Sequence, residues 1–170
     1  MMVRWTVLLF SLVLSACASY SGAGLRPGEA RLEDVARLMG EPALRWQDPD
    51  GSVQLAFPRG PAGTDTFMVK LAPDGRLQSI VNVLKAAEFA RIRPGMTKEQ
   101  VLRILGPPDS GRTAYFKARN ELVWDWRACT YNVYIQRLYV LFDAATGLVR
   151  STMSTDELFG SEGITMRCNS

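Results

Sequence analysis

The sequence contains no histidine. This absence excludes Ser-His-Asp and Cys-His catalytic arrangements and every metal site built on imidazole. The chain also lacks a nucleophile elbow, a phosphate-binding glycine loop and cysteines at metal-ligand spacing. Carboxylate chemistry is the main catalytic alternative that remains. We therefore expect a protein that is not an enzyme and has no cofactor and no metal.

A large excess of positive or negative charge is also missing. The chain has 20 lysines and arginines against 17 acidic residues, a net charge of +3, and the basic residues are scattered. Nucleic-acid binding needs a basic stripe or patch, so we expect no nucleic-acid partner. Because 47% of the residues are hydrophobic and 22% are charged, the composition is typical of a folded domain rather than a disordered chain.

Long hydrophobic runs are absent except at the start of the chain. Arg4 precedes an apolar run over 5–14, which is too short for a permanent membrane span of about 20 residues. This pattern is typical of an export signal. The Leu-Ser-Ala-Cys at 14–17 resembles a bacterial lipobox, which implies cleavage before Cys17 and lipidation of Cys17. Several acyl chains on one residue anchor a protein stably. The alternative is an ordinary secretory peptide with an incidental thiol.

The residue after the lipidated cysteine carries sorting information in enteric bacteria. Asp at that position retains a lipoprotein at the inner membrane, whereas this chain has Ala18. The resemblance therefore implies an outer-membrane lipoprotein that faces the periplasm and is held there by its lipid anchor.

Cysteine is scarce, with three residues in all. If Cys17 is lipidated, Cys129 and Cys168 remain as an even pair in an oxidising compartment. A disulfide between them would fasten the C-terminal tail and contribute about 3 to 4 kcal/mol. The alternative is two unpaired thiols, with Cys168 in a frayed terminus.

The segment RIRPGMTKEQVLRILGPPDS, residues 91–110, carries the clearest local signals. Thr97 and Gln100 form a capping-box pattern, which predicts a helix that begins at Lys98. Apolar residues recur at helical spacing between 101 and 105 and give this helix one apolar face. Gly106 suits the residue after a helix, and Pro108 with its neighbouring proline prevents continuation.

The chain also contains an approximate internal repeat. RPGEARLEDVARLMGEP at 26–42 is similar to RPGMTKEQVLRILGPP at 93–108, and both are followed by strand-like segments and an Asp/Gly turn. Each unit therefore predicts a short helix packed on a three-stranded antiparallel sheet, which is an α+β fold. The predicted segments are a signal peptide at 1–16, an anchor and linker at 17–24, a degenerate first unit at 25–84, a second unit at 85–156 and a C-terminal tail at 157–170.

The motif residues Gly95, Thr97, Gln100, Gly106 and Pro108, in the context RIRPGMTKEQV and LGPP, resemble the SmpA/OmlA (BamE) family of outer-membrane lipoproteins. The resemblance covers 88–152. It implies helices on a three-stranded antiparallel sheet, a lipid anchor, and non-catalytic protein binding in the machinery that assembles β-barrel outer-membrane proteins. Partners in the envelope, including that machinery, are therefore expected.

Two features separate this chain from the family pattern. The family segment that follows the lipidated cysteine is replaced by YSGAGLRPGEA, and the chain has two units where the assembly subunit has one. A tandem pair of units also resembles the secreted β-lactamase inhibitor protein, which binds its target across a sheet surface. The alternatives are therefore an inhibitor-like binder of a periplasmic or secreted enzyme and a structural envelope lipoprotein.

Aromatic residues concentrate near one predicted strand of the second unit. The candidate partner-binding residues are Trp124, Trp126, Arg127, Tyr131 and Tyr134. Tyrosine and tryptophan dominate the energetic hot spots of protein interfaces. Strand alternation places Trp124 and Trp126 on one face, which is either the core under the helix or an exposed platform. If it is the core, Arg127, Tyr131 and Tyr134 are the better surface candidates.

Overall fold

The computed structural model describes residues 21–60, 63–130, 133–159 and 163–168. Two similar runs of elements follow one another along the chain. The first consists of helix α1 (Leu32–Met39) and strands β1 (Leu44–Gln47), β2 (Val53–Pro58), β3 (Thr66–Leu71) and β4 (Leu77–Asn82). The second consists of helices α2 (Ala86–Phe89) and α3 (Lys98–Leu105), strand β5 (Ala114–Phe116), a 3₁₀ helix (Lys117–Arg119), and strands β6 (Glu121–Thr130), β7 (Tyr134–Asp143) and β8 (Val149–Asp156). A small hairpin of β9 (Leu158–Phe159) and β10 (Ile164–Thr165) follows.

The predicted α+β class is confirmed, but the predicted strand count is wrong. Sheet 1 has the order β1-β2-β3-β4 and sheet 2 the order β5-β6-β7-β8, and neighbouring strands are antiparallel. Over the described residues, each sheet therefore has four strands instead of three. The additional strands, β1 and β5, have only four and three residues, so their alternation is too short to identify in the sequence. They exist because they pair with the long strand that follows.

Helix α3 begins with a complete capping box. The backbone N–H of Gln100 donates to Thr97 Oγ1 at 3.2 Å, and the backbone N–H of Thr97 donates to Gln100 Oε1 at 2.8 Å. At α1 only one of these two bonds forms, from the Arg31 N–H to Asp34 Oδ2 at 3.0 Å, because an arginine side chain has no acceptor. At the start of both helices, a side chain therefore accepts a hydrogen bond from a backbone N–H group that has no partner within the helix.

Each helix buries its apolar side against the sheet that follows it. Val35 and Met39 of α1 pack on sheet 1, and Val101 and Leu105 of α3 pack on sheet 2. The sheet residues of the first core are Leu55, Phe57, Val69, Leu71 and Leu77; those of the second are Trp126, Ala128, Leu138, Val140, Phe142 and Val149.

The two halves share backbone hydrogen bonds as well as element order. The N–H of Gly28 donates to the carbonyl of Leu77, and the N–H of Gly95 donates to that of Val149, both at 2.8 Å. Both glycines have positive φ, 80° and 86°, a conformation that glycine adopts without steric cost. The segment before each helix is thus held against the last strand of its own sheet.

Helix α3 lies between the two sheets. One side of α3 packs on sheet 2 through Val101 and Leu105. Its C-terminal half contacts sheet 1, where the Gln54 side chain donates to the Arg103 carbonyl at 2.7 Å. The Arg103 guanidinium also pairs with Asp48 at 2.7 Å and lies 5.5 Å from the Trp46 ring centre. The layers therefore run α1, sheet 1, α3, sheet 2.

No helix in the described ranges is both long enough and apolar enough to cross a membrane.

Candidate functional site

The two faces of sheet 2 have different environments. Trp124 and Trp126 point toward α3 and join its core. Because side chains alternate along a strand, Val123 points to the opposite side. That side includes Phe116, Val123, Tyr139, Leu141 and Met153, and we call these five residues the open face.

The open face is apolar and accessible. Phe116 is 43% exposed and Met153 is 49% exposed, and the other three side chains are partly exposed. Val123 lies directly opposite Leu141, and Tyr139 lies directly opposite Met153, so the five residues form a continuous surface. Of the described helices, α1 packs on sheet 1 and α3 on the other side of sheet 2. The open face is therefore available to a partner.

A buried ion-pair network closes one end of this side of the sheet. Arg137 Nε donates to Asp125 Oδ1 at 3.0 Å, and Arg137 also lies 3.6 Å from Asp109 and 3.5 Å from Glu157. Glu157 in turn accepts from Arg127 Nε at 2.6 Å. Arg112 lies 3.9 Å from Asp109 and supplies a third cation for the three carboxylates, so the cluster is a charge-balanced structural network rather than a pair of catalytic acids.

The protonation of Arg137 follows from this environment. Burial alone would lower its pKa, but the hydrogen bond to Asp125 and the negative charges of Asp125 and Glu157 outweigh burial and raise the pKa of Arg137 above its usual value. The guanidinium therefore stays charged and keeps the network intact. Within the ranges that the structure describes, no group of three or more potential ligands is arranged to hold a metal ion.

The structure removes Trp126 from the candidate partner-binding residues. Its side chain is 2% exposed, and its Nε1 donates to the Gly106 carbonyl at 3.3 Å. Trp124 is partly buried, and its ring lies edge-on to Phe142 at 4.7 Å between centres and to Trp126 at 6.0 Å. Both tryptophans belong to the core under α3, because a small sheet needs large side chains to exclude water.

None of the remaining candidates is among the five open-face residues, and some lie outside the described residues. Arg127 is largely buried and paired with Glu157. Tyr134 is 40% exposed, with the Arg167 guanidinium 5.9 Å from its ring centre. Tyr131 lies outside the described residues, and so does the expected lipidation site, Cys17.

Cys129 and Cys168 are joined by a disulfide in the structure, with their Cα atoms 5.8 Å apart. The bond connects β6 to the tail. The tail also pairs with β7: the N–H of Ile135 donates to the Met166 carbonyl at 2.8 Å, and the N–H of Cys168 donates to the Val133 carbonyl at 3.0 Å. The β9–β10 hairpin therefore connects β8 to the tail, and both β8 and the tail pair with β7.

The open-face residues were missed by the sequence analysis. Phe116 belongs to a strand of only three residues. Tyr139 and Met153 lie in two strands whose sequence predicts a hairpin but does not indicate which side chains are exposed. The available signal was the alternation around Trp124 and Trp126. It indicates two faces but does not indicate which one the helix covers.

The fold and this surface define a small α+β domain in which a capped helix covers one face of an antiparallel sheet and leaves the other accessible. The family model of the outer membrane protein assembly factor BamE domain matches residues 81–153. This match confirms the resemblance inferred from the motif around Thr97 and Gly106. No curated protein and no solved structure matches the chain significantly.

Proposed function

We propose that this chain is an outer-membrane lipoprotein that acts as a non-catalytic protein-binding accessory module in the assembly of β-barrel outer-membrane proteins or of the cell envelope. The observation that carries the proposal is the BamE-domain match at residues 81–153, on a domain whose sheet has an apolar open face. The open face is the proposed partner-binding surface.

The composition of the open face supports protein binding. It offers aromatic, methionine and aliphatic side chains, and aromatic residues and methionine are enriched at protein interfaces. The Arg137 network lies at one end, where it supplies a polar border. An exposed apolar sheet face suits a partner protein better than a small substrate, since small-molecule sites are concave.

We further propose that the two halves, 25–84 and 85–156, are tandem BamE-like units with different tasks. The repeated bonds of Gly28 and Gly95 to the last strand of each sheet support this relation. The face of sheet 1 that corresponds to the open face is occupied by α3, with Ala56 and Met68 buried there. The first unit therefore supports the second, and the second binds the partner.

Anchoring through Cys17 on the periplasmic side of the outer membrane completes the proposal. The lipobox-like Leu-Ser-Ala-Cys and the following Ala18 support it. A disulfide between Cys129 and Cys168 is consistent with an oxidising compartment such as the periplasm.

The test is affinity purification of the full-length protein from detergent-solubilised outer membrane, with mass spectrometry of the proteins that copurify. We expect the wild type to recover subunits of the barrel-assembly machinery. A Phe116→Ala/Tyr139→Ala variant should lose them, because alanine removes both aromatic contacts from the open face. Tyr115→Ala is the matched control: Tyr115 neighbours Phe116 in β5 but points to the other face and is 57% exposed.

The possible results separate the alternatives. Loss in Cys17→Ala together with loss in the open-face variant supports a membrane-anchored binding module. Recovery of a periplasmic enzyme in place of assembly subunits indicates the inhibitor-like alternative. Equal recovery by wild type, open-face variant and Tyr115→Ala contradicts the assignment of the open face.

A further inference from the structure

The outer edge of β8 is an unpaired strand edge. Within the described part of the chain, β8 pairs with β7 and with no other strand. The residues of β8 after Val149 are all exposed. Their outward-facing backbone N–H and C=O groups are consequently available for a further strand.

Between its two ends, this edge lacks the charges and prolines that usually prevent strand addition. Residues 151–155 read Ser-Thr-Met-Ser-Thr, without charge and without proline. Natural edge strands are commonly protected by lysine, proline or very short length. The opposite edge of the same sheet, β5, has three residues and is followed directly by a 3₁₀ helix, so it is protected by its length.

Both ends of the free edge are defined by the fold. At one end, the N–H of Val149 donates to the Met96 carbonyl at 2.8 Å, and Arg150 is the additional residue of a β-bulge. At the other end, the carbonyl of Glu157 accepts from the N–H of Met166, and the β9–β10 hairpin follows. The free segment therefore runs over 150–156, and its central residue is Met153.

We propose that the occupant of this edge is β8 of a second copy of the chain, paired antiparallel with Met153 opposite Met153 of the partner copy. This register aligns the whole free segment with itself. A shift by two residues in either direction leaves part of the 151–155 segment unpaired. A shift by an odd number of residues is excluded, because the open face of one copy would then lie on the same side as the helix-covered face of the other.

The sequence of the edge is self-complementary in this register. Ser151 lies opposite Thr155, and Thr152 lies opposite Ser154, so hydroxyl side chains face each other across the interface. Arg150 of each copy lies opposite Asp156 of the other, so the charges at the ends of the segment have opposite sign. No like charges are opposed, which favours a second copy over an unrelated strand.

The resulting dimer is closed and has a two-fold axis perpendicular to the sheet. Two four-stranded sheets become one sheet of eight strands, and both open faces lie on the same side of it. Pairing through the β8 edge brings the two Met153 side chains together and leaves the other four residues of the open face uncovered. The dimer does not depend on the proposed partner of that face, so the two proposals can fail separately.

Cysteine cross-linking in cells tests the register. Directly opposed residues in an antiparallel pair have Cα atoms about 4.5–5.5 Å apart, within the range for a disulfide. We expect full-length Met153→Cys to form a disulfide-linked homodimer on non-reducing gels, with the 153–153 link identified by mass spectrometry. Ser151→Cys alone should not, because in this register its two copies lie about 13 Å apart. Coexpressed Ser151→Cys and Thr155→Cys chains should cross-link to each other.

Sedimentation of the purified lipoprotein in detergent provides a second measurement. Met153→Lys places two ammonium groups at the axis and should weaken dimerisation by about twofold to fivefold, whereas Met153→Leu should not. A monomeric Met153→Cys protein after oxidation overturns the proposal. So does equal cross-linking by Ser151→Cys alone.

Discussion

Asp143 shows how a single side chain stabilises the β7–β8 turn. Its Oδ1 accepts the backbone N–H of Thr146 at 2.8 Å and that of Ala145 at 3.0 Å, and its other oxygen accepts from Arg150. The hydrogen bond from the Thr146 backbone is the largest cause, followed by the one from Arg150, and together they lower the pKa of Asp143 to about 2. The turn therefore depends on an ionised carboxylate.

A pH dependence of stability follows. Because the pKa of Asp143 is lower in the folded state, its stabilisation is complete above the ordinary aspartate pKa of about 3.9 and is lost as the pH falls from about 4 to 2. Thermal unfolding between pH 2 and 6 should show a smaller loss in Asp143→Asn than in wild type, and Arg150→Gln should lie between them. Identical slopes for wild type and Asp143→Asn would contradict this role.

At the scale of the element, α3 differs from α1 in what lies beyond its C-terminus. Gly106 and Gly40 follow the two helices with nearly the same backbone angles, φ 75° and 82° with ψ −170° and −156°. A Cβ at Gly106 would lie 2.7 Å from Thr66 Cγ2 and 3.6 Å from Ala56, whereas a Cβ at Gly40 would meet nothing within 4 Å. The end of α3 is therefore packed against sheet 1.

This difference predicts unequal costs for the same substitution. Gly40→Ala and Gly106→Ala should each lose about 1–3 kcal/mol, because the conformation is nearly exclusive to glycine. Gly106→Ala should lose about 1–3 kcal/mol more, because the methyl group collides with Thr66. Urea unfolding measures both values. In the Thr66→Ser background, which lacks Cγ2, the two costs should converge; a persistent difference would show that the Thr66 contact is not its cause.

At the scale of the whole molecule, the tail is attached to the last sheet by a covalent bond as well as by hydrogen bonds. The disulfide spans 39 positions of the chain, from β6 to the tail that pairs with β7. Closing a loop of this length restricts the unfolded chain and is worth about 4 kcal/mol on loop-entropy grounds. The bond therefore stabilises the folded domain as a whole and holds the tail to β6.

Removing both cysteines tests this contribution. Cys129→Ala/Cys168→Ala should lose about 4 kcal/mol in urea unfolding under oxidising conditions, and reduction should make wild type resemble the variant. Hydrogen exchange should show lost protection of the Ile135 N–H, which is bonded to the tail, while the Gln100 N–H in the capping box stays protected. Equal stability before and after reduction would contradict the prediction.

Local signals made much of the second unit predictable. Thr97, Gln100 and Gly106 act within one short segment, so the helix they delimit can be read directly from the sequence. The same segment carried the resemblance to the BamE domain, whose family model matches residues 81–153. In contrast, β1 and β5 were not predicted, since strands of three or four residues form only because a longer neighbour supplies their hydrogen bonds. The four-stranded sheets are therefore a consequence of tertiary pairing.

The sequence by itself determined the two helices, the alternation of the long strands and the resemblance of residues 81–153 to the BamE domain, because each depends on residues close together in the chain. Only the tertiary structure decided which face of sheet 2 is open and that α3 is shared by both sheets. A period of two residues defines two faces but not their surroundings. Those surroundings depend on contacts such as Gln54 with Arg103 and Thr66 with Gly106, which join residues that are distant in sequence.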